Sequence, residues 1–279
     1  MPFDPFASRR GLVHVCGHRG HSIGAPENTI PALEAAAARG ATVCEVDLRL
    51  ARDGAIVLRH DELLGRCDDG LGWVGAHDLE SLRRLDAGAW MSRAFAGTRI
   101  PTLEEALAAA KRLGIGLLLE IKERARADEL IDRLNDVLRA ADAIAEVLVI
   151  SFDHPSLLRA RERIEGLRTE IITHARHVDI VAVARRAEAT SVSIEWDVLS
   201  AEDALALHEA GIALRVTIPR PAILAERKRH GLDLEHTLGP MLAEGLIDVL
   251  AGDDVTAVRA MVERWAVPYA SEARCRAPG

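Results

Sequence analysis

Eight short apolar runs rich in β-branched residues recur along the chain, with stretches of helical periodicity between them. The runs fall at 12–16, 42–47, 115–121, 147–151, 168–172, 191–195, 213–218 and 247–251. Between them apolar residues return three and four apart over 29–39, 102–113, 127–141, 155–164, 178–187, 201–210 and 234–244, and 255–265 closes the series. Strands alternating with helices predict a parallel sheet, and eight such units predict an α/β fold of the (β/α)8 TIM-barrel type, occupying residues 10–266 as one domain. Helix-start signals keep this phase: Thr102-Leu103-Glu104-Glu105 reads as a capping box directly after Pro101, and Ser200 with Asp203 as a second.

One connection breaks the rhythm. Roughly fifty residues separate the second strand from the helix that begins at Thr102, and connections of that length are usually functional. Turn signals at Asp53-Gly54 and Asp69-Gly70-Leu71-Gly72 and an amphipathic stretch over 79–85 predict a small folded insertion, 54–101, over one end of the barrel. Trp73 and Trp90 are expected to anchor its core. No internal repeat accompanies the alternation of strands and helices.

In such a barrel the chemistry lies at the C-terminal ends of the strands. The first strand leads into Gly17-His18-Arg19-Gly20, the second ends in Glu45-Val46-Asp47, and the third in Glu120-Ile121-Lys122. Side chains two apart on a strand share a face, so Glu45 with Asp47, and Glu120 with Lys122, are predicted to point into one mouth. Three converging carboxylates need a counter-charge, because repulsion in a partly dry cleft would otherwise neutralise some of them. All-oxygen donors favour one divalent cation of the Mg2+ or Ca2+ kind. His18 and His60 stay free for proton transfer, with His60 returned to the mouth by the apolar run 55–58. The three carboxylates, a divalent ion, Arg19 and Lys122 leave one net positive charge, which a phosphodiester monoanion would balance. This arithmetic predicts metal-assisted phosphodiester cleavage with two histidines as acid and base.

Composition narrows the partners. Formal charge is -8, aromatic residues are 3%, and no dense basic run occurs, which argues against nucleic acid. No stretch of about 18 apolar residues predicts a membrane span, and the start Met1-Pro2-Phe3-Asp4-Pro5 lacks the pattern of an export signal, so a cytoplasmic location is expected. Cys16, Cys44, Cys67 and Cys275 lie far apart with no Cys-x-x-Cys pair and are expected to be reduced packing residues.

At the residues that carry this chemistry the chain resembles the glycerophosphodiester phosphodiesterase family. The resemblance runs through His18-Arg19-Gly20, Pro26-Glu27-Asn28-Thr29, Glu45-Val46-Asp47, Asp53-Gly54, His60-Asp61 with Leu64 and Arg66, Leu85-Asp86-Ala87-Gly88-Ala89-Trp90, Ile100-Pro101-Thr102-Leu103-Glu104-Glu105 and Glu120-Ile121-Lys122, nearly half the chain. It implies a barrel with a small insertion after the second strand, a divalent ion on Glu45, Asp47 and Glu120, His18 and His60 as the catalytic pair, and Arg19 and Lys122 as phosphate-binding cations. The activity it implies is hydrolysis of small-molecule glycerophosphodiesters, such as glycerophosphocholine or glycerophosphoethanolamine, to sn-glycerol 3-phosphate and an alcohol. Attack by the neighbouring glycerol hydroxyl and direct attack by water are both compatible with these residues.

The resemblance weakens after residue 122. Val216-Thr217-Ile218-Pro219 and Ala251-Gly252-Asp253-Asp254 depart from the family's usual strand ends, and His21 replaces a small residue, so no head-group preference carries over. A related diester, such as a lysophospholipid or sugar-phosphate conjugate, and a non-catalytic phosphate-binding barrel stay as alternatives. Glu27 either supports the metal ligands or only favours the helix that starts after Asn28, a good N-cap residue. Glu195 and Arg215 lie near the mouth ends of neighbouring strands. Either they pair on the pocket wall, or Glu195 with Trp196 faces a cationic head group.

Overall fold

The structure, a computed structural model, describes residues 3–265. Each predicted run forms a strand: β1 (His14–His18), β2 (Val43–Leu50), β3 (Ile56–Leu58), β4 (Gly116–Ile121), β5 (Val147–Ser151), β6 (Thr169–Thr173), β7 (Ser191–Glu195), β8 (Ala213–Thr217) and β9 (Val249–Gly252), where β3 is the short run beyond the second strand. The helices are α1 (Ile30–Ala38), α2 (Leu79–Leu82), α3 (Leu103–Leu113), α4 (Ala127–Ala140), α5 (His154–Arg163), α6 (Ile180–Arg186), α7 (Ala201–Glu209), α8 (Pro221–Arg229), α9 (Leu234–Ala243) and α10 (Val255–Trp265). Among the described residues, all strands but β3 pair in parallel, and β1 pairs with both β2 and β9, which closes an eight-stranded barrel. The strand β3 is extra and runs antiparallel on β2, Leu48 opposite Leu58.

Side-chain alternation explains where the core sits. Val46, Leu48, Leu117, Leu119 and Ile121 point outward into the apolar layer shared with the helices. Val43, Leu118, Leu148, Ile150, Ile172 and Val249 point inward, and Phe3 packs among them. The same parity turns Glu45, Asp47 and Glu120 inward near the strand ends, all three buried. Thr102 and Glu105 form the expected capping box on α3, and the Ser200 side chain accepts from the Asp203 N–H at the start of α7.

A charged layer also lies inside the barrel. Arg215 Nε donates to Glu170 Oε1 at 2.8 Å and Ser191 Oγ to Glu170 Oε2 at 2.7 Å, with both members of the ion pair buried. Removing one partner strands the other charge, so Glu170→Ala is expected to cost about 3–5 kcal/mol in urea unfolding. A cost under about 1 kcal/mol would show that Arg215 finds another partner.

Several expectations change. The first strand runs His14–His18 rather than 12–16, because its partners on β2 and β9 align with His14 to His18. One helix was expected between the last two strands, and two are present. The unforeseen α8 has no buried residue and hence no apolar stripe to read. The insertion's core is Val57, Leu64, Val74, Leu82, Ala87 and Ile100 with Ala51, while Trp73 and Trp90 are exposed on its outside. Trp90 Nε1 donates to the Ala87 carbonyl at 3.0 Å, so the indole satisfies its polar edge without entering that core. Cys16, Cys44 and Cys67 are buried and unbridged, and burial pushes the Cys44 and Cys67 thiols up to about 12 and about 11. Cys275 and the expected boundary at residue 266 lie outside the described residues. No described helix is long and apolar enough to cross a membrane.

Candidate active site

The site begins with a tight turn after β1. A Cβ on Gly17 would lie 2.7 Å from the Gly20 carbonyl oxygen, and Arg19 and Gly20 take φ of 60° and 81°. This turn aims the Arg19 N–H at Glu45 Oε2, 3.0 Å away. The Arg19 guanidinium reaches Glu27 through Nη1 at 2.9 Å and Asp47 through Nε at 3.3 Å. Asn28, at φ 57°, donates from Nδ2 to Asp47 Oδ2 at 2.7 Å and accepts the Asp47 N–H at 3.0 Å. Asn28 is therefore not the N-cap of α1. Thr29 takes that position, and Asn28 fixes the Asp47 carboxylate.

Glu45, Asp47 and Glu120 each offer an oxygen within 4.8 Å of the others. Glu45 Oε1 and Asp47 Oδ1 are buried without a hydrogen-bond partner. Unsatisfied buried carboxylate oxygens facing one another are costly, and a hard cation satisfies them. Burial and the Asp47 charge push the Glu45 carboxyl up to about 7. Glu120 is also raised, by burial and by Asp47, although Lys122 Nζ lies 2.6 Å away. Burial would raise Asp47 too, but Arg19 and Lys122 outweigh it and hold it below the ordinary carboxylate value. The donor set and its orphaned oxygens fit one divalent cation.

Two histidines flank this cluster, each fixed by an aspartate. Asp253, from the end of β9, lies 2.6 Å from His18 Nδ1, and Asp61 lies 2.7 Å from His60 Nδ1. Burial works against charge on Asp61, but its bonds to Arg66 and His60 hold it at about 2, and Asp253 is likewise depressed by His18 and Arg220. An ionised carboxylate only accepts, so each Nδ1 carries the proton and each Nε2 is left for the cavity. The His18 Nε2 is 3.9 Å from Glu45 Oε2. His60 returns to the mouth because β3 folds back on β2, with the Arg59 N–H on the Asp47 carbonyl at 2.9 Å and Arg49 Nε on the His60 carbonyl at 2.9 Å. The two rings are tuned in opposite directions. Burial opposes charge on both, but at His18 the Asp253 hydrogen bond and the Glu45 charge win and raise it, whereas at His60 burial wins and lowers it.

A cavity of about 230 Å3 is lined by His18, Arg19, Glu45, His60, Glu120 and Lys122, and on its far wall by Glu195 and Arg215. Glu27 lies behind Arg19 and is held at about 2, burial notwithstanding, by Arg66 and Arg19. Arg66 also binds Asp61, so an ion-pair chain from His60 to Arg19 fastens the insertion to the β1 turn. The Glu195–Arg215 pair, one of the two arrangements the sequence left open, does not form. Both residues face the cavity, but Arg215 sits deeper, in register with Ser193, and is held by Glu170, while Glu195 at the rim is 3.0 Å from His174. Trp196 has the opposite parity to Glu195 and is buried in the helix layer under Arg227, away from the mouth. His21 is also absent from the mouth, because its Nδ1 accepts the Val255 N–H at the start of α10.

Sequence reasoning gave no role to Asp61, Arg66 or Asp253, and assigned Asn28 to a cap. For Asp61 the signal was its position beside His60. For Asp253 it was the place of an acid at the mouth end of the strand that must pair with β1.

A family model for the glycerophosphoryl diester phosphodiesterase family matches residues 18–228. The chain belongs to this family. Bacillus subtilis YhdW is 37% identical over 161 residues, which are 58% of this chain and 66% of that protein. The glycerophosphodiester phosphodiesterase of Caldanaerobacter subterraneus subsp. tengcongensis is 33% identical over 179 residues, 64% of this chain and 74% of that one. An Oleispira antarctica phosphodiesterase, solved in complex with the product sn-glycerol-3-phosphate, superposes with a TM-score of 0.78 at 25% identity, over 92% of this chain and 99% of that one.

Proposed function

We propose that this chain hydrolyses glycerophosphodiesters to sn-glycerol 3-phosphate and an alcohol. Glu45, Asp47 and Glu120 hold one divalent cation, Mg2+ or Ca2+. The observation that carries the reading is the pairing of two aspartate-fixed histidines, tuned in opposite directions, around an acidic cluster with orphaned oxygens. Family membership and the product named for the Oleispira antarctica relative support the same substrate class.

Arg19 and Lys122 bind the phosphoryl oxygens and orient the diester. A bound divalent cation supplies positive charge that polarises the phosphoryl group and offsets carboxylate repulsion. His60, kept neutral, accepts at Nε2 the proton of the attacking hydroxyl. Where that hydroxyl is water's, sn-glycerol 3-phosphate forms directly; where it is the one on the neighbouring glycerol carbon, a cyclic phosphate forms that water then opens with the histidine roles exchanged. His18, kept protonated, donates from Nε2 to the departing alkoxide. The environments separate the two pKa values, so acid and base coexist near neutral pH. The Asp253 bond lies on the ring nitrogen opposite the carboxylates and keeps its effect when a cation neutralises Glu45.

This assignment fixes the sign of the pH dependence. Activity rises as His60 loses its proton, below the ordinary imidazole value of 6.5, and falls as His18 loses its proton, above it. The expected kcat/KM profile is a bell spanning 6.5, and Asp253→Asn moves only its alkaline limb to lower pH. An unmoved alkaline limb in that variant would remove His18 as the acid. Phosphorus NMR of the products tests the bond broken: sn-glycerol 3-phosphate is expected, and the phosphate ester of the head-group alcohol would contradict the proposal.

A further inference from the structure

The cavity wall opposite the histidines is built in two levels. Its deep part carries Ser193 and Arg215, both buried, and the Thr217 hydroxyl lies one level above, in register with Glu195. Arg215 is committed to Glu170, so the deep level is neutral overall and, with the Ser193 hydroxyl and the Thr217 hydroxyl above it, suits a small polyol. The rim carries Glu195 and His174, with side chains 47% and 61% exposed, and Phe152, which is 39% exposed. The Phe152 ring is already engaged, stacked on His174 with centroids 4.5 Å apart and with Lys122 Nζ 5.6 Å from its centroid. Glu195 belongs neither to the acidic cluster nor to the Arg19 and Lys122 pairings, and among the described residues its one ionic neighbour is His174 at 3.0 Å.

We infer that Glu195 is the specificity-determining residue for the alcohol end of the diester and selects alcohols that carry a cationic nitrogen. This rests on the phosphodiesterase reading above. A glycerol moiety is small, uncharged and rich in hydroxyls, which suits the buried level. The variable alcohol then occupies the open rim. There a half-exposed carboxylate attracts an ammonium group by charge, gives a neutral polyol no comparable gain, and repels an anion. Arg215, two residues down the neighbouring strand, is engaged elsewhere and does not cancel the Glu195 charge.

The test compares kcat/KM for glycerophosphocholine, glycerophosphoethanolamine and glycerophosphoglycerol in wild type, Glu195→Gln and Glu195→Lys. Wild type is expected to favour the two cationic substrates by roughly two- to fivefold, chiefly through KM, with the preference shrinking at high salt. Glu195→Gln brings the ratio to about one, and Glu195→Lys inverts it. Thermal unfolding of each variant separates a local effect from a folding defect. Equal turnover of all three substrates by wild type, or an undiminished preference in folded Glu195→Gln, overturns the head-group assignment alone. Turnover of no diester by wild type overturns the phosphodiesterase reading and this inference with it.

Discussion

Glu45→Gln is expected to abolish tight divalent-cation binding and lower kcat/KM by about three orders of magnitude, while leaving the barrel folded. A cation on this cluster contributes several kcal/mol of charge stabilisation in the transition state, and each 1.36 kcal/mol is about tenfold in rate. The substitution keeps the size and the hydrogen-bonding oxygen of the side chain but removes its charge. It should also stabilise the cation-free protein at neutral pH. Glu45 has a folded pKa of about 7, raised above its ordinary 4.5, so the folded state holds its proton more tightly than the unfolded chain. Stability of the cation-free wild type is then lost as pH rises from about 4.5 to about 7, and Glu45→Gln removes that loss. In wild type a saturating cation restores stability, by about 2.7 kcal/mol at a hundredfold excess over Kd. Calorimetric titration with Mg2+ and Ca2+, paired with thermal unfolding at pH 5 and about pH 7.5, checks both signs. A variant that binds the cation as tightly as wild type would refute the ligand role of Glu45.

The second large effect is on the histidines. His60→Ala and His18→Ala are each expected to lower kcat by about 10²–10⁴-fold with little change in KM and none in cation affinity, since neither ring is a cation ligand. Their aspartates act only through the rings, by orienting them and, at His18, by holding its proton. Asp61→Asn and Asp253→Asn should therefore cost less than loss of the ring, and the double variant His60→Ala/Asp61→Asn should be no slower than His60→Ala alone. Rates from steady-state kinetics, with cation affinity measured on the same preparations, decide the matter. A tenfold or larger further loss in the double variant would give Asp61 a role independent of His60.

The legible part of this protein is what parity along a strand controls. Alternation in β2 and β4 was enough to turn Glu45, Asp47 and Glu120 into one mouth, because a residue two positions along a strand has no other face to occupy. Strand and helix alternation likewise defined the closed barrel. Parity says nothing of depth, and this is why Arg215 was matched with Glu195 when the register puts it two residues lower, beside Glu170. Trp196 was grouped with Glu195 against its own parity and lies in the helix layer. The Asp253–His18 contact joins residues 235 positions apart, and only closure of the barrel between β9 and β1 creates it. Asn28 was ambiguous for a chemical reason: the amide that caps a helix also matches a carboxylate and its N–H, and the left-handed backbone at Asn28 selects the second use. α8 left no trace in the pattern because it buries none of its residues.

The measurement that bears most directly on this account is the rate of sn-glycerol 3-phosphate release from glycerophosphocholine by chelator-treated protein as Mg2+ or Ca2+ is restored, in wild type and in Glu45→Gln. No release in chelator, saturable recovery in wild type and no recovery in the variant are the expected results. Full activity in chelator, or equal recovery by both proteins, would contradict a cation held by Glu45, Asp47 and Glu120 as the centre of the reaction.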